Sequence, residues 1–176
     1  TKLQISQSVL NETKKIISLN KKNILIAPAS SGNTTMWYLT YFIELMKKLD
    51  TKFNCFFIIA VDSSEREKKI ANEIIKSFDK DKTMSLSDKT ISQTMPIISC
   101  CSVAICNDTS FQHLSCQLNV PTLILKLDTP DAYSSYSKFQ YSVLPEGYSK
   151  INHDTRADPS LISVDKILTK TLKLIS

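Results

Sequence analysis

Glycine is almost missing from this sequence. Only Gly32 and Gly147 occur in 176 residues, which excludes glycine-fingerprint dinucleotide sites and P-loops, since both need several glycines at set spacing. Any grip on phosphate must then come from Ser, Thr and Asn around a helix start. Paired cysteines are missing too. The five present, Cys55, Cys100, Cys101, Cys106 and Cys116, are odd in number and form no CxxC. They read as buried reduced thiols. The two histidines lie far from any cysteine pair, which argues against a zinc site. No apolar run approaches the roughly 18 residues of a membrane span; the longest, Cys55 to Val61, is strand-sized. The chain opens Thr1-Lys2-Leu3-Gln4, with no initiator Met and no secretory h-region, so a piece of a longer protein is expected.

Charge of one sign is in modest excess, +5 with pI ≈ 8.9. The lysines are scattered in pairs, such as Lys14-Lys15 and Lys68-Lys69, and are not interleaved with aromatics. A nucleic-acid platform is therefore not expected, although the balance would help attract an anionic small ligand. With 42% hydrophobic and 22% charged residues, the chain has enough apolar material for one ordinary globular domain.

Apolar runs alternate with amphipathic stretches along the chain. Residues 5–19 predict a leading helix, placed within 1–20, because Ile5, Val9, Leu10, Ile16 and Ile17 recur at helical spacing. Buried strands are expected at Asn23 to Pro28, Phe53 to Val61, Ser102 to Asn107 and Thr122 to Leu127, with shorter ones near Met84 and Leu86 and at Gln140 to Leu144. Helices are expected at Met36 to Leu49, from a cap at Asp62-Ser63-Ser64 to about Phe78, at Thr90 to Ser99, at Phe111 to Leu118, and at 161–176 to close the chain. Uniformly apolar strands alternating with helices specify a mainly parallel sheet covered on both faces. The expected fold class is α/β, a Rossmann-like three-layer α/β/α domain spanning 1–176.

Ligands of such sheets sit beyond the carboxyl ends of the strands. Three strand-to-helix turns supply polar groups there. Asn107-Asp108-Thr109-Ser110-Phe111-Gln112-His113 opens a helix whose free amides and hydroxyls suit a diphosphate, with His113 one turn further in. The alternative is a plain N-cap at Asp108 or Thr109 with His113 in the core. Ser30-Ser31-Gly32-Asn33-Thr34-Thr35 can donate backbone and hydroxyl hydrogen bonds to phosphate, or be an ordinary capped loop. Asp62 to Glu67 places carboxylates where ribose hydroxyls can be held, or where acidic residues favour a helix start.

The stretch Ser102–Pro121, SVAICNDTSFQHLSCQLNVP, resembles the signature of glycosyltransferase family 9, the ADP-heptose:lipopolysaccharide heptosyltransferases: an apolar strand, Asp-Thr-Gly, two residues, His, a small-residue helix and a Pro-led strand. Ile24–Trp37 and Ala60–Ala71 are similar to two earlier segments of that family, and Asp128-Thr129-Pro130 to a later one. The resemblance covers about residues 20–175. It implies the C-terminal, donor-binding half of a two-domain GT-B glycosyltransferase that is inverting and metal-independent. No cofactor is implied beyond the substrate, an ADP-sugar or other nucleotide-sugar. The implied partners are that donor, an N-terminal acceptor-binding domain outside this chain that also holds the catalytic base, and a glycolipid acceptor at the inner membrane surface. The implied location is cytoplasmic or peripheral to that membrane, in synthesis of lipopolysaccharide or a related surface glycan.

Carried over by position, Asp108, Thr109 and Ser110 match the Asp-Thr-Gly that meets the donor's sugar and phosphates, and His113 matches the family His. The resemblance makes Asp108 and His113 the catalytic candidates, with His113 donating to a phosphate oxygen or orienting Asp108. Ser30, Ser31 and Thr35 fall where the diphosphate is contacted. Glu65, with Glu67 as the alternative, matches the carboxylate on the ribose. Two positions depart from the family. A Lys just before the Trp is usual, but here Thr35 stands two residues before Trp37; and Ser110 replaces the glycine. These departures also fit a catalytically inactive relative that binds a nucleotide or a partner protein. A flavodoxin-like binding module unrelated to sugars is the remaining reading.

Overall fold

The computed structural model describes residues 5–18, 20–30, 35–133 and 135–175. Among them, six strands form one sheet in the order β3-β2-β1-β4-β5-β6: β1 (Lys22–Ala27), β2 (Cys55–Ile59), β3 (Thr83–Ser85), β4 (Val103–Cys106), β5 (Thr122–Leu125) and β6 (Gln140–Val143). Every pairing is parallel, with Ile24 beside Val103 and Leu25 beside Ile58 in the register. The central strands are apolar on both faces because both faces are covered. Alternate residues go to opposite sides. Ile24, Ile26, Phe57, Ile59, Val103 and Ile105 pack under α2 (Leu39–Phe53), α3 (Glu65–Ile75) and α6 (Val164–Ile175). Leu25, Ala27, Phe56, Ile58, Ala104 and Cys106 pack on the side of α1 (Gln7–Thr13), α4 (Ile91–Ser99) and α5 (Ser110–Gln117). This is the expected Rossmann-like α/β/α arrangement.

Several boundaries differ from the sequence reading. The leading helix covers Gln7–Thr13, not 5–19, and Val9 and Ile16 of its expected apolar stripe are 43% and 57% exposed. Ile17 is buried against the core but lies beyond the helix end, and with part of the stripe in solvent the periodicity overstated the helix. Trp37 stands before α2, not inside it. Its backbone N–H donates to Asn107 Oδ1 at 3.0 Å and its indole Nε1 to the Ile162 carbonyl at 2.7 Å, so the helix begins at Leu39. The closing helix begins at Val164, after a short 3-10 turn at Pro159–Leu161. Asn54 and Asn119 end α2 and α5 with φ of 49° and 62°, the left-handed conformation that asparagine tolerates at a helix end.

All five cysteines are free, and Cys55, Cys101, Cys106 and Cys116 are buried. Burial pushes the Cys55 thiol up to about 12 and raises Cys101 and Cys106 further. They are protonated apolar packing groups at neutral pH, not nucleophiles.

Candidate functional site

The chain runs from β1 out to β3 on one side, then returns to β4 and builds to β6 on the other. Strand order therefore reverses between β1 and β4, and the crevice beyond their carboxyl ends is where such sheets take ligands. The turns after β2, β1 and β4 are neighbours at that crown. They carry Glu65, Ser30 and Thr109 respectively.

Asn107 ties two of these turns together. It is fully buried; its Nδ2 donates to the Pro28 carbonyl at 2.7 Å and its Oδ1 accepts from Trp37. Arg66, in the first turn of α3, joins the third: Nη1 donates to the Ser30 carbonyl at 3.3 Å and Nη2 faces Met36 Sδ at 3.7 Å. From β5, Asp128 is 5% exposed and its Oδ2 accepts from the Thr35 backbone N–H at 2.6 Å, while its Oδ1 is buried without a partner. Nearby Lys126 is fully buried with its charge matched by Asp131 at 2.5 Å, as a buried ammonium requires.

Asp108 is clamped. Its Oδ2 accepts from Thr129 Oγ1 at 2.8 Å and its Oδ1 from Gln112 Nε2 at 2.8 Å. Thr109 has the extended backbone of an N-cap but makes no side-chain capping bond, so it does not consume the first amides of α5. Those amides are the positive end of the helix. His113 is half-buried, not in the core. Its Nδ1 hydrogen-bonds the Tyr136 hydroxyl and its Nε2 lies 3.3 Å from Gln112 Nε2. Contact with Asp108 is thus made through Gln112.

Beside these turns, between the β2–α3 turn, the β3–α4 connection with the start of α4, and α5, opens a cleft of ≈ 570 Å³. Leu86, Ile91 and Phe111 give it apolar walls; Ser63, Ser110 and Lys89 add polar groups. This volume and mix suit a small organic ligand with a polar end. Ser110 and His113 both line it. Among the described residues no group of three His, Cys, Asp or Glu is arranged to hold a metal ion, and no helix is long and apolar enough to cross a membrane.

Residues 1–145 match the family described as glycosyltransferase family 9 (heptosyltransferase). The chain belongs to glycosyltransferase family 9. Its fold matches solved structures at low identity. E. coli ADP-heptose lipopolysaccharide heptosyltransferase II is 20% identical with a TM-score of 0.80, over 99% of this chain and 53% of that one. A glycosyltransferase family 9 protein from Veillonella parvula is 13% identical with a TM-score of 0.78, over 99% and 53%. E. coli heptosyltransferase WaaC with ADP-2-deoxy-2-fluoro heptose is 12% identical with a TM-score of 0.70, over 98% and 50%. The chain thus spans about half the length of these structures. No curated protein is similar enough to match.

In this family 9 chain the sequence-derived candidates are distributed as follows. Asp108, Thr109, Ser110 and His113 share the β4–α5 turn and the first turns of α5. Ser30 and Thr35 lie on the β1–α2 connection, and Ser31 falls outside the described residues. Glu65 is highly exposed and reaches Lys68 at 3.9 Å. Glu67 instead accepts from the Asp62 backbone N–H at 2.7 Å, so it is spent on holding its own turn. Sequence reasoning missed Arg66, Gln112, Asp128 and Tyr136. Arg66 stood inside the inspected segment, beside the two glutamates. Gln112 stood in the segment opening α5, four residues after Asp108, while Asp128 and Tyr136 join the site through contacts that spacing does not reveal.

Proposed function

We propose that this chain is the donor-binding half of an inverting, metal-independent glycosyltransferase that takes a nucleotide-sugar of the ADP-heptose type, in synthesis of lipopolysaccharide or a related surface glycan. The observation that carries the reading is the convergence of three neighbouring β-to-α turns at the strand-order switch point, in a chain of this family. It is supported by two solved structures of one relative, E. coli heptosyltransferase WaaC with ADP and with ADP-2-deoxy-2-fluoro heptose.

In this reading the nucleoside occupies the apolar cleft along Leu86, Ile91 and Phe111. The diphosphate lies on the uncapped amides of α5 with Thr109 and Ser110. Glu65, whose neighbour Glu67 is already engaged, holds the ribose. An acceptor hydroxyl attacks the anomeric carbon, the bond from that carbon to the diphosphate oxygen breaks, and the nucleoside diphosphate leaves. The base that takes the acceptor's proton belongs to the acceptor-binding domain, outside this chain. This chain's share is electrostatic: oriented amides and hydroxyls stabilise the charge that gathers on the leaving diphosphate. Thr35 brings no cation to the β1–α2 turn. Arg66, reaching Ser30 from α3, supplies one.

Titrating the intact protein with ADP, ADP-sugars, UDP and GDP while following amide shifts near Ser30, Glu65 and Thr109 tests the assignment. Binding of the ADP compounds at sub-millimolar concentration is expected; silence toward all nucleotides at millimolar concentration would overturn it. Ser110 in place of glycine favours a second reading, a relative that binds the nucleotide without transferring sugar. Such a protein would show the same shifts and no turnover when assayed with acceptor.

A further inference from the structure

The side chain of Gln112 fixes where the protons lie around His113. Gln112 is fully buried, with Nε2 on Asp108 Oδ1 and Oε1 unpartnered. Exchanging the amide's two ends would set an oxygen against the Asp108 carboxylate and leave a buried N–H₂ group with no acceptor, the costlier arrangement. The nitrogen therefore faces Asp108. An amide nitrogen only donates, so its second proton goes to His113 Nε2, 3.3 Å away. The neutral imidazole then carries its proton on Nδ1 and gives it to the Tyr136 oxygen. Both ring nitrogens are now engaged by protein groups, and the ring is not available to a ligand.

The Gln140 side-chain amide is a further donor toward the phenol oxygen, and among the described residues what is left at the end of this series is the proton of the Tyr136 hydroxyl. The ring stacks on His113, with centroids 5.6 Å apart and planes 20° off parallel. The loop that carries it is fixed, because the backbone N–H groups of Tyr136 and Ser137 both donate to Gln140 Oε1 at 3.2 and 3.1 Å. Tyr136 is 50% exposed and touches His113, which lines the cleft. We propose that Tyr136 is a ligand-binding residue of this site, donating its phenolic O–H to a phosphate oxygen of the nucleotide-sugar, and that His113 is the positioning residue that aims it. A phosphate oxygen is the fitting partner: with its oxygen already taken by Nδ1–H, the phenol has a proton to give, and phosphate oxygens accept strongly. Burial raises the phenol above its ordinary range, so that proton stays in place at neutral pH.

This inference rests on the donor-site reading, and the experiment separates the two. ADP and adenosine are titrated calorimetrically into the intact protein, its Tyr136→Phe variant, His113→Ala, and the double variant. Tyr136→Phe keeps the stacked ring and removes only the O–H. It is expected to weaken ADP about tenfold, the effect of one hydrogen bond to a charged group, and to leave adenosine unchanged. In the His113→Ala background the same change is expected to shrink to under about twofold, because the phenol is no longer aimed. Long-range nitrogen–proton correlation spectra of the imidazoles are expected to show the His113 proton on Nδ1. Equal ADP affinity of wild type and Tyr136→Phe overturns the proposal and leaves the donor site standing. A proton on Nε2 overturns the relay. Failure of the wild-type protein to bind ADP overturns the donor reading and this inference with it.

Discussion

On one face of the sheet lie α2, α3 and α6, 15, 11 and 12 residues long. On the other lie α1, α4 and α5, with 7, 9 and 8. The first face is closed by large buried side chains, among them Trp37, Phe42, Leu45, Met46 and Leu49. The second is thinner, with Ile91 73% exposed and several hollows among the described residues, including the ≈ 570 Å³ cleft, one of ≈ 340 Å³ between α1 and α4, and one of ≈ 360 Å³ lined by Leu10, Cys100 and Leu118. The long helices leave a polar hollow of ≈ 410 Å³, between the end of α2 and the segment after α3, whereas the short ones leave a gap beside the carboxyl ends of the strands. The candidate ligand cleft lies on the thin side, where α5 also turns its N-terminus toward the switch point. The larger buried side chains lie on one face and the proposed donor site on the other.

The largest expected effect tests that division through packing. Phe42→Ala, on the thick face, is expected to cost about 3–5 kcal/mol, since a fully buried ring leaves a cavity. Leu114→Ala, half-buried at the cleft, is expected to cost about 1 kcal/mol. Urea unfolding of both variants measures the difference, and equal losses would break the comparison. Asp108→Ala acts on the recognition side. With Thr129 and Gln112 released, turnover of the intact protein is expected to fall roughly a hundredfold by misplacement of the turn, whereas Cys101→Ala leaves it unchanged. Equal, small effects of both would undo the site assignment.

Arg66→Ala sharpens the comparison further. It removes the cation that reaches the β1–α2 turn and is expected to weaken ADP binding about tenfold, with little change in the urea midpoint because the side chain is exposed. A lowered urea midpoint with unchanged affinity would make Arg66 structural. The smallest effect is a pH dependence. Burial holds the Glu67 carboxyl above its usual range, against the Asp62 N–H that favours its ionised form. The folded chain therefore keeps this proton to higher pH than the unfolded chain, so the associated stability is present at low pH and is lost as pH rises through the raised value. Glu67→Gln is expected to flatten that slope, by well under about 1 kcal/mol after solvent screening. An unchanged slope would assign the titration to another group.

The sheet was legible because fully buried parallel strands are apolar throughout. Ile24-Leu25-Ile26 and Phe56-Phe57-Ile58-Ile59 leave little else to be. The β4–α5 turn was legible because its polar residues are consecutive. Trp37 was misplaced into α2 because periodicity shows which residues are apolar, not that an asparagine 70 residues away captures one N–H. The start of α4 carried a signal that was passed over: the Thr90 and Gln93 capping box is plain in the sequence. Gln112 was also passed over, though it stands four residues after Asp108, the spacing of a Gln–Asp hydrogen bond on one helix face; Tyr136 could not be read. Gln112 matters through a carboxylate one turn back and an imidazole beside it, and Tyr136 lies 23 residues from the ring it meets.

The two border strands bear on how copies of this chain behave together. β3 has only three residues, and β6 has four, with Tyr141 and Ser142 turned to solvent. A rim this short offers few open N–H and C=O groups to a stranger's backbone. Growth of the sheet from molecule to molecule is thereby discouraged, and a concentrated solution of the folded protein is expected to stay free of strand-added aggregates.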